Sequence, residues 1–185
     1  MAFLSEKRIN QLGFQKLGRN VQISDKASIY QPHLISLGDN VRIDDFVVIS
    51  PSDEPFVFGS YIHIASHCTI IGRSGLTMKT YSGLSGRVSV YTSSDDYSGD
   101  FMTNPTVPKV FTNVISAPVL IGKHVIVGAG SVILPGVSIG FGSAISALAL
   151  VTRDVPEHVI AGGIPCRVIK TRGKKLIELE KRFDS

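Results

Sequence analysis

The sequence predicts an all-β solenoid: a triangular prism of stacked parallel strands, with one extruded loop and a short C-terminal helix. Three observations predict it. Aliphatic residues recur every six positions, residues 91–117 break that phase, and the last residues switch to helical spacing. A helix repeats at about 3.6 residues and a strand at two, so a period of six fits one short strand plus one turn. Three such units return the chain above its start. Stacking then buries an aliphatic column that no single coil can bury alone.

Residues 1–20 read as an N-terminal cap, with Phe3, Leu4, Ile9, Leu12 and Phe14 as its apolar contacts. The coil domain spans 21–172. It opens on an imperfect coil, "VQISDKASIYQPHLIS", which holds Ile23, Ala27 and Ile29 in phase and adds residues around Pro32 and His33. Hexads then begin at Leu37, Ile43 and Ile49, at Phe58, Ile64 and Ile70, and at Met78, Leu84 and Val90. The intervening "SPSDEPFV" and "GRSGLT" are short enough for corner loops. Residues 91–117 are too long for that, and an excursion of this length is functional or disordered. Tyr97, Phe101 and Phe111 favour an ordered flap. The phase resumes at Ile121, Val127, Ile133, Ile139, Ile145 and Val151. Residues 173–185 carry Leu176, Leu179 and Phe183 at helical spacing, an amphipathic helix expected to close the open edge of the last coil.

Composition narrows the function. A chain of 185 residues suits one domain, and 43% hydrophobic residues with 18 glycines and no tryptophan suit a turn-rich β chain. The net charge of +4 comes largely from "CRVIKTRGKKLIELEKRF", a basic end that suits nucleic acid or a membrane surface, and equally the phosphates of a small cofactor. Elsewhere the signs are too mixed for a nucleic-acid surface. Cys68 and Cys166 fit neither a metal-ligand pattern nor a disulfide scaffold and read as reduced thiols of a cytoplasmic protein. The start "MAFLSEKRINQLGF" lacks a signal-peptide core, and no apolar stretch nears the roughly 20 residues of a membrane helix.

No Ser-His-Asp motif, phosphate loop or HExxH sequence is present. In "FGSYIHIASHCTII", Ile62 and Ile64 take inward positions and force His63 outwards, where a neutral imidazole can accept a proton. His67 and His124 fall at corners, His33 in the irregular first coil and His158 after the last hexad; all four read as structural. Asp95 and Asp96 in "SSDDYSG" place paired carboxylates at the start of the loop. Such groups bind or deprotonate an ammonium, or simply shape an Asx turn. Cys68 points inward and is a poor nucleophile.

The hexads, the loop segments "DDYSG" and "TNPTVP", and the run "HVIVGAGSVILPGVSIGFGSAISALALVTRDVPEHVIAGGIPCRVIKTR" together resemble the hexapeptide-repeat acyltransferases over residues 20–172. The resemblance is greatest to sugar acetyltransferases found with surface-polysaccharide enzymes. It implies a left-handed parallel β-helix, a homotrimer with grooves between subunits, and acetyl-CoA as co-substrate without a metal. The implied acceptor is the amino group of a nucleotide-linked amino sugar in O-antigen biosynthesis, or alternatively a sugar hydroxyl. By motif match, Gly128, Ala129, Ser146 and Ala147 line the pantetheine arm, Thr152 lies near the adenine, and Arg167 and Lys170 hold phosphates. The histidine common in the family's loop is missing. Either His63 is the base, oriented by an aspartate of a neighbouring subunit, or Asp95 or Asp96 handles the acceptor ammonium. A zinc carbonic anhydrase on the same prism is disfavoured because His63, His67 and His124 do not match its ligand spacing. A non-enzymatic assembly solenoid is disfavoured because the whole cofactor end is retained.

Overall fold

The computed structural model describes residues 2–184; Met1 and Ser185 lie outside the described residues. The hexads wind into a left-handed parallel β-helix with three flat faces. The first face stacks Lys16–Leu17, Ile35–Leu37, Phe56–Phe58, Leu76–Met78, Val119–Ile121 and Ser138–Ile139. Gln22–Ile23, Val41–Ile43, Ile62–Ile64, Gly83–Leu84, Ile126–Val127, Ala144–Ile145 and Val159–Gly162 form the second. Ser28–Ile29, Val48–Pro51, Thr69–Gly72, Ser89–Tyr91, Val132–Ile133 and Leu150–Val151 form the third.

Strands are in register one coil apart, so like stacks on like. On the second face Ile43, Ile64, Leu84, Val127 and Ile145 form one continuous buried column. Each such side chain contributes about 1.5–3 kcal/mol by leaving water. The turns are tight enough to force left-handed backbone on ordinary residues: Tyr61, Tyr81 and His124 between the first and second faces, Phe46, His67 and Arg87 between the second and third. Their side chains point outwards and stack from coil to coil. Phe46 lies 4.9 Å from His67, Tyr61 5.1 Å from Tyr81, and Tyr81 4.9 Å from His124. Such ring contacts contribute about 0.5–1.5 kcal/mol each, which offsets backbone strain of similar size.

At the start, helix α1 (Glu6–Gln11) is capped by the Ser5 hydroxyl, which accepts from the Arg8 N–H, and it buries Ile9. The strand Lys16–Leu17 already pairs with Ser36–Leu37, so the prism begins inside the segment expected to be a cap.

The C-terminus departs from expectation. Arg167–Thr171 runs antiparallel beside Val159–Gly162 and closes the last edge of the second face. Helix α2 (Lys175–Phe183) therefore does not cap the last coil; it turns back along the corner between the first and second faces. Glu180 binds Lys123 and, at 2.7 Å, His124 Nε2; the Tyr81 hydroxyl donates to Asp184 at 2.7 Å; Phe183 stands edge-on to Tyr61. The Arg172 guanidinium pins the turn before α2 by donating to the carbonyls of His124, Gly142 and Ser143. Charge and aromatic contacts, rather than the apolar stripe, dock this helix, and Leu179 and Phe183 stay exposed.

The long loop leaves the prism after Tyr91 on an antiparallel neck, Ser93–Ser94 with Ile115–Ser116, and rejoins at Val119. Its order does not come from the aromatics. Tyr97 is 91% exposed, and Phe101 and Phe111 are also exposed, because one chain offers them no core. Side-chain turns hold it instead, with Asn104 Oδ1 accepting from the Thr106 N–H and hydroxyl.

Candidate active site

The corner between the second and third faces carries small residues over the upper coils, with Leu148 the exposed exception. Ala129 and Ala147 are exposed there, one above the other, joined by the Leu148 N–H to the Ala129 carbonyl at 2.9 Å. Below and beside them the Gly128 N–H donates to Ile145 and the Ser146 N–H to Ala161, both at 2.8 Å. The result is a corner of small side chains and accessible backbone, the candidate donor channel, with Leu148 exposed beside it. Gly128 owes its identity to the coil above it: a Cβ would stand 2.4 Å from the Ala147 nitrogen. The Ser146 hydroxyl is already committed to the Ala161 carbonyl. Arg167 is exposed at the end of the channel, opposite Gly162, with Lys170 further along the same strand. Thr152 is not part of this channel; it follows Leu150–Val151 and sits at the corner between the third and first faces.

His63 is outward and about half exposed, as strand alternation requires. Its Nε2 lies 2.8 Å from Asp44 Oδ2, while Arg42 Nε donates to Asp44 Oδ1 at 2.7 Å. A carboxylate accepts, so Nε2 carries the proton, and in the neutral ring Nδ1 is the acceptor. Asp44 is 8% exposed. Burial alone would raise its carboxyl, but hydrogen bonds from Arg42 and His63 outweigh that and leave it below the usual range. Asp44, the carboxylate that holds the His63 ring, belongs to the same chain, and reading along the sequence missed it. Its signal was spacing: Asp44 and His63 stand one coil apart.

Between the loop and the third face lies a cleft of about 380 Å³ lined by Arg73, Ser94, Asp95, Asn104 and Lys109, among others. The two loop carboxylates differ sharply. Asp96 Oδ1 accepts from the Ser98 N–H and hydroxyl and Oδ2 from Asn113 Nδ2. Those bonds hold its carboxyl below the ordinary value and commit it to the shape of the loop. Asp95 has one long contact, from the Asn104 N–H at 3.3 Å, and faces the cleft. Within one chain the structure does not bring His63, on the second face, to this cleft at the third corner.

No protein-family model matches the chain. A dTDP-4-amino-4,6-dideoxy-D-glucose acyltransferase from Escherichia coli is 48% identical over 183 residues, covering 99% of this chain and 95% of its own. AntD, an N-acyltransferase from Bacillus cereus, superposes with a TM-score of 0.94 at 42% identity, over 98% of this chain and 96% of AntD, in a serine variant bound to dTDP-4-amino-4,6-dideoxyglucose and coenzyme A. A second AntD structure, with dTDP and 3-hydroxybutyryl-CoA, matches equally, with 98% of this chain and 95% of AntD covered. The chain belongs to the hexapeptide-repeat acyltransferases.

This acyltransferase is a coenzyme A-dependent enzyme. Among the described residues no cluster of histidine, cysteine, aspartate or glutamate could hold a metal, and no helix is long and apolar enough to cross a membrane. Two histidines of the acyltransferase make ring contacts at the corners. His67 stacks on Phe46, and His124 is sandwiched between Tyr81 and Glu180. Cys68 is fully buried and burial pushes its thiol up to about 11, so it stays a protonated packing residue.

Proposed function

We propose that this enzyme transfers an acyl group from a coenzyme A thioester to the amino group of a dTDP-linked 4-amino-4,6-dideoxy sugar. The observation that carries the reading is Asp95, a carboxylate left short of donors in a cleft that also holds the cations Arg73 and Lys109. A sugar with an ammonium at one end and a diphosphate at the other matches that charge layout. Both likenesses at more than 40% identity point to the same acceptor class.

In this reading the pantetheine arm lies in the corner along Gly128, Ala129, Ser146 and Ala147, and Arg167 with Lys170 meets the phosphates. Asp95 holds the sugar nitrogen in line with the thioester carbonyl. Asp95 takes one proton from the sugar ammonium, the resulting neutral amine attacks that carbon, the C–S bond breaks as the C–N bond forms, and the leaving thiolate takes up the second proton released by the nitrogen. A backbone N–H of the corner stabilises the oxyanion, and orientation supplies much of the acceleration. His63 Nδ1 is a further proton acceptor on the donor side. Channel and cleft lie on different corners of one prism, so the reading includes a closed trimer in which one copy's loop reaches its neighbour's channel.

The test is thiol release from acetyl-CoA by the purified protein with dTDP-4-amino-4,6-dideoxyglucose, against the same nucleotide sugar bearing a hydroxyl at that carbon. Amine-dependent release with an N-acyl product is expected. Equal release with the hydroxyl sugar, or none with the amine, overturns the assignment.

A further inference from the structure

We propose that Asn104 is a positioning residue for the acyl transfer, its backbone N–H fixing the direction in which Asp95 meets the acceptor in the cleft. This rests on the role given to Asp95 under the proposed function. Within residues 91–117, Asn104 is the one residue other than glycine with left-handed backbone, at φ 88°. At the prism corners the turn between faces imposes that conformation on Tyr61, Tyr81 and His124. No coil surrounds Asn104. Strain held in a loop without such a cause points to a function for the group it aims.

Four hydrogen bonds meet at Asn104. Three of them close a turn: Oδ1 accepts from the Thr106 N–H at 2.8 Å and the Thr106 hydroxyl at 2.7 Å, and the carbonyl accepts from the Val107 N–H at 3.2 Å. The fourth leaves the turn. The Asn104 N–H donates back across nine residues to Asp95 Oδ2 at 3.3 Å. Asparagine suits the place, because it tolerates left-handed backbone and its side-chain oxygen bonds to the backbone two residues on. Asp95, Asn104, Pro105 and Val107 all line the same cleft. The loop has other ties that hold its path: the neck pairs Ser93–Ser94 with Ile115–Ser116, and Asp96 binds Ser98 and Asn113. What the Asn104 N–H adds is a direction for Asp95. With Oδ2 engaged, Oδ1 is the oxygen that has no protein donor and remains for the sugar ammonium. Bonds of this kind are often long in the free enzyme and tighten around substrate.

The experiment measures kcat at saturating acetyl-CoA and dTDP-4-amino-4,6-dideoxyglucose, and calorimetric Kd for dTDP, in wild type, Asn104→Ala, Asp95→Asn and the double variant. Asn104→Gly is carried alongside, since glycine keeps left-handed backbone without strain and loses only the side-chain bonds. Asn104→Ala should lower kcat about 5- to 50-fold, the cost of misplacing a group at the reacting centre, and Asn104→Gly should lower it less. Affinity for dTDP should hold, because Arg73 and Lys109 are untouched. In the Asp95→Asn background the Asn104→Ala step should cost almost nothing, since a residue that acts through Asp95 has nothing left to act on. Equal losses in both backgrounds, a matching loss of dTDP affinity, or wild-type kcat in Asn104→Ala overturns the assignment of Asn104. If Asp95→Asn is slow while Asn104→Ala is not, the role of Asp95 stands and only Asn104 is removed. Wild-type kcat in Asp95→Asn overturns both.

Discussion

Gly128→Ala and Gly83→Ala make the same chemical change on neighbouring coils of one face, and the structure gives them opposite signs. At position 128 the new methyl would stand 2.4 Å from the Ala147 nitrogen, 2.6 Å from the Ser146 carbonyl carbon and 2.8 Å from the Ile145 oxygen, all backbone atoms. Restoring ordinary contact needs a separation of roughly 1 Å between coils that sit about 4.8 Å apart. The Gly128 to Ile145 hydrogen bond, now 2.8 Å, would then be lost. Overpacking costs about 1–3 kcal/mol and the bond about 0.5–1.5 kcal/mol, so the loss is about 2–4 kcal/mol. For a chain of this size that lowers Tm by about 5–15 °C. Gly83→Ala meets no atom closer than 3.4 Å, so it should raise Tm slightly, by about 0.5–1 kcal/mol of unfolded-state entropy. Thermal melts by circular dichroism at fixed protein concentration, without coenzyme A, read both. A Gly128→Ala melt within 1–2 °C of wild type would refute the close-approach reasoning, and a large loss for Gly83→Ala would mean that the space at that position is already filled in the free protein.

Asp95→Asn should cut kcat/KM for the amino sugar about 10- to 150-fold, the worth of one charge-assisted hydrogen bond, with little change in coenzyme A affinity; steady-state kinetics against each substrate separate the two. The double variant Arg167→Ala, Lys170→Ala should weaken coenzyme A binding about 10-fold or more at low salt and less at high salt, measured by calorimetry. Acid should destabilise through Glu180 and Asp44. Hydrogen bonds from Lys123 and then His124 hold the Glu180 carboxyl below its ordinary value, and Asp44 is held down as described above. Groups depressed in the folded state contribute stability that is present above the unfolded pKa and disappears as pH falls through the folded one. Tm should therefore stay level down to about pH 5 and drop below about pH 4, and Glu180→Gln should flatten that drop.

The prism was legible because its determinants are periodic and local. Leu37, Ile43 and Ile49, or Ile121, Val127 and Ile133, announce an inward column by spacing alone, and all are buried. The outward position of His63 followed from the same alternation. What escaped depends on pairs one or more coils apart. Asp44 meets His63 across 19 residues, and Glu180 meets His124 across 56. A linear reading registers both as separate surface charges. The direction of α2 was missed for the same reason, since its partners Tyr61, Tyr81 and His124 form a ladder visible only after the coils stack. The inequality of Asp95 and Asp96 was also hidden, because it depends on Asn113 returning from the far side of the loop.

Helix α2 changes what kind of object the prism is. A coil in a solenoid touches the coils above and below it, and such a linear array can fray from either end or open in segments. The tether of Arg172 to Gly142, followed by Glu180 on His124, Asp184 on Tyr81 and Phe183 on Tyr61, ties successive levels of that array to a single rigid rod. To fray by one level, the chain must first release the rod from all of them. Neighbour-by-neighbour melting thus becomes a shared transition, and the upper coils that carry Ala129 and Ala147 open with the middle of the array rather than ahead of it.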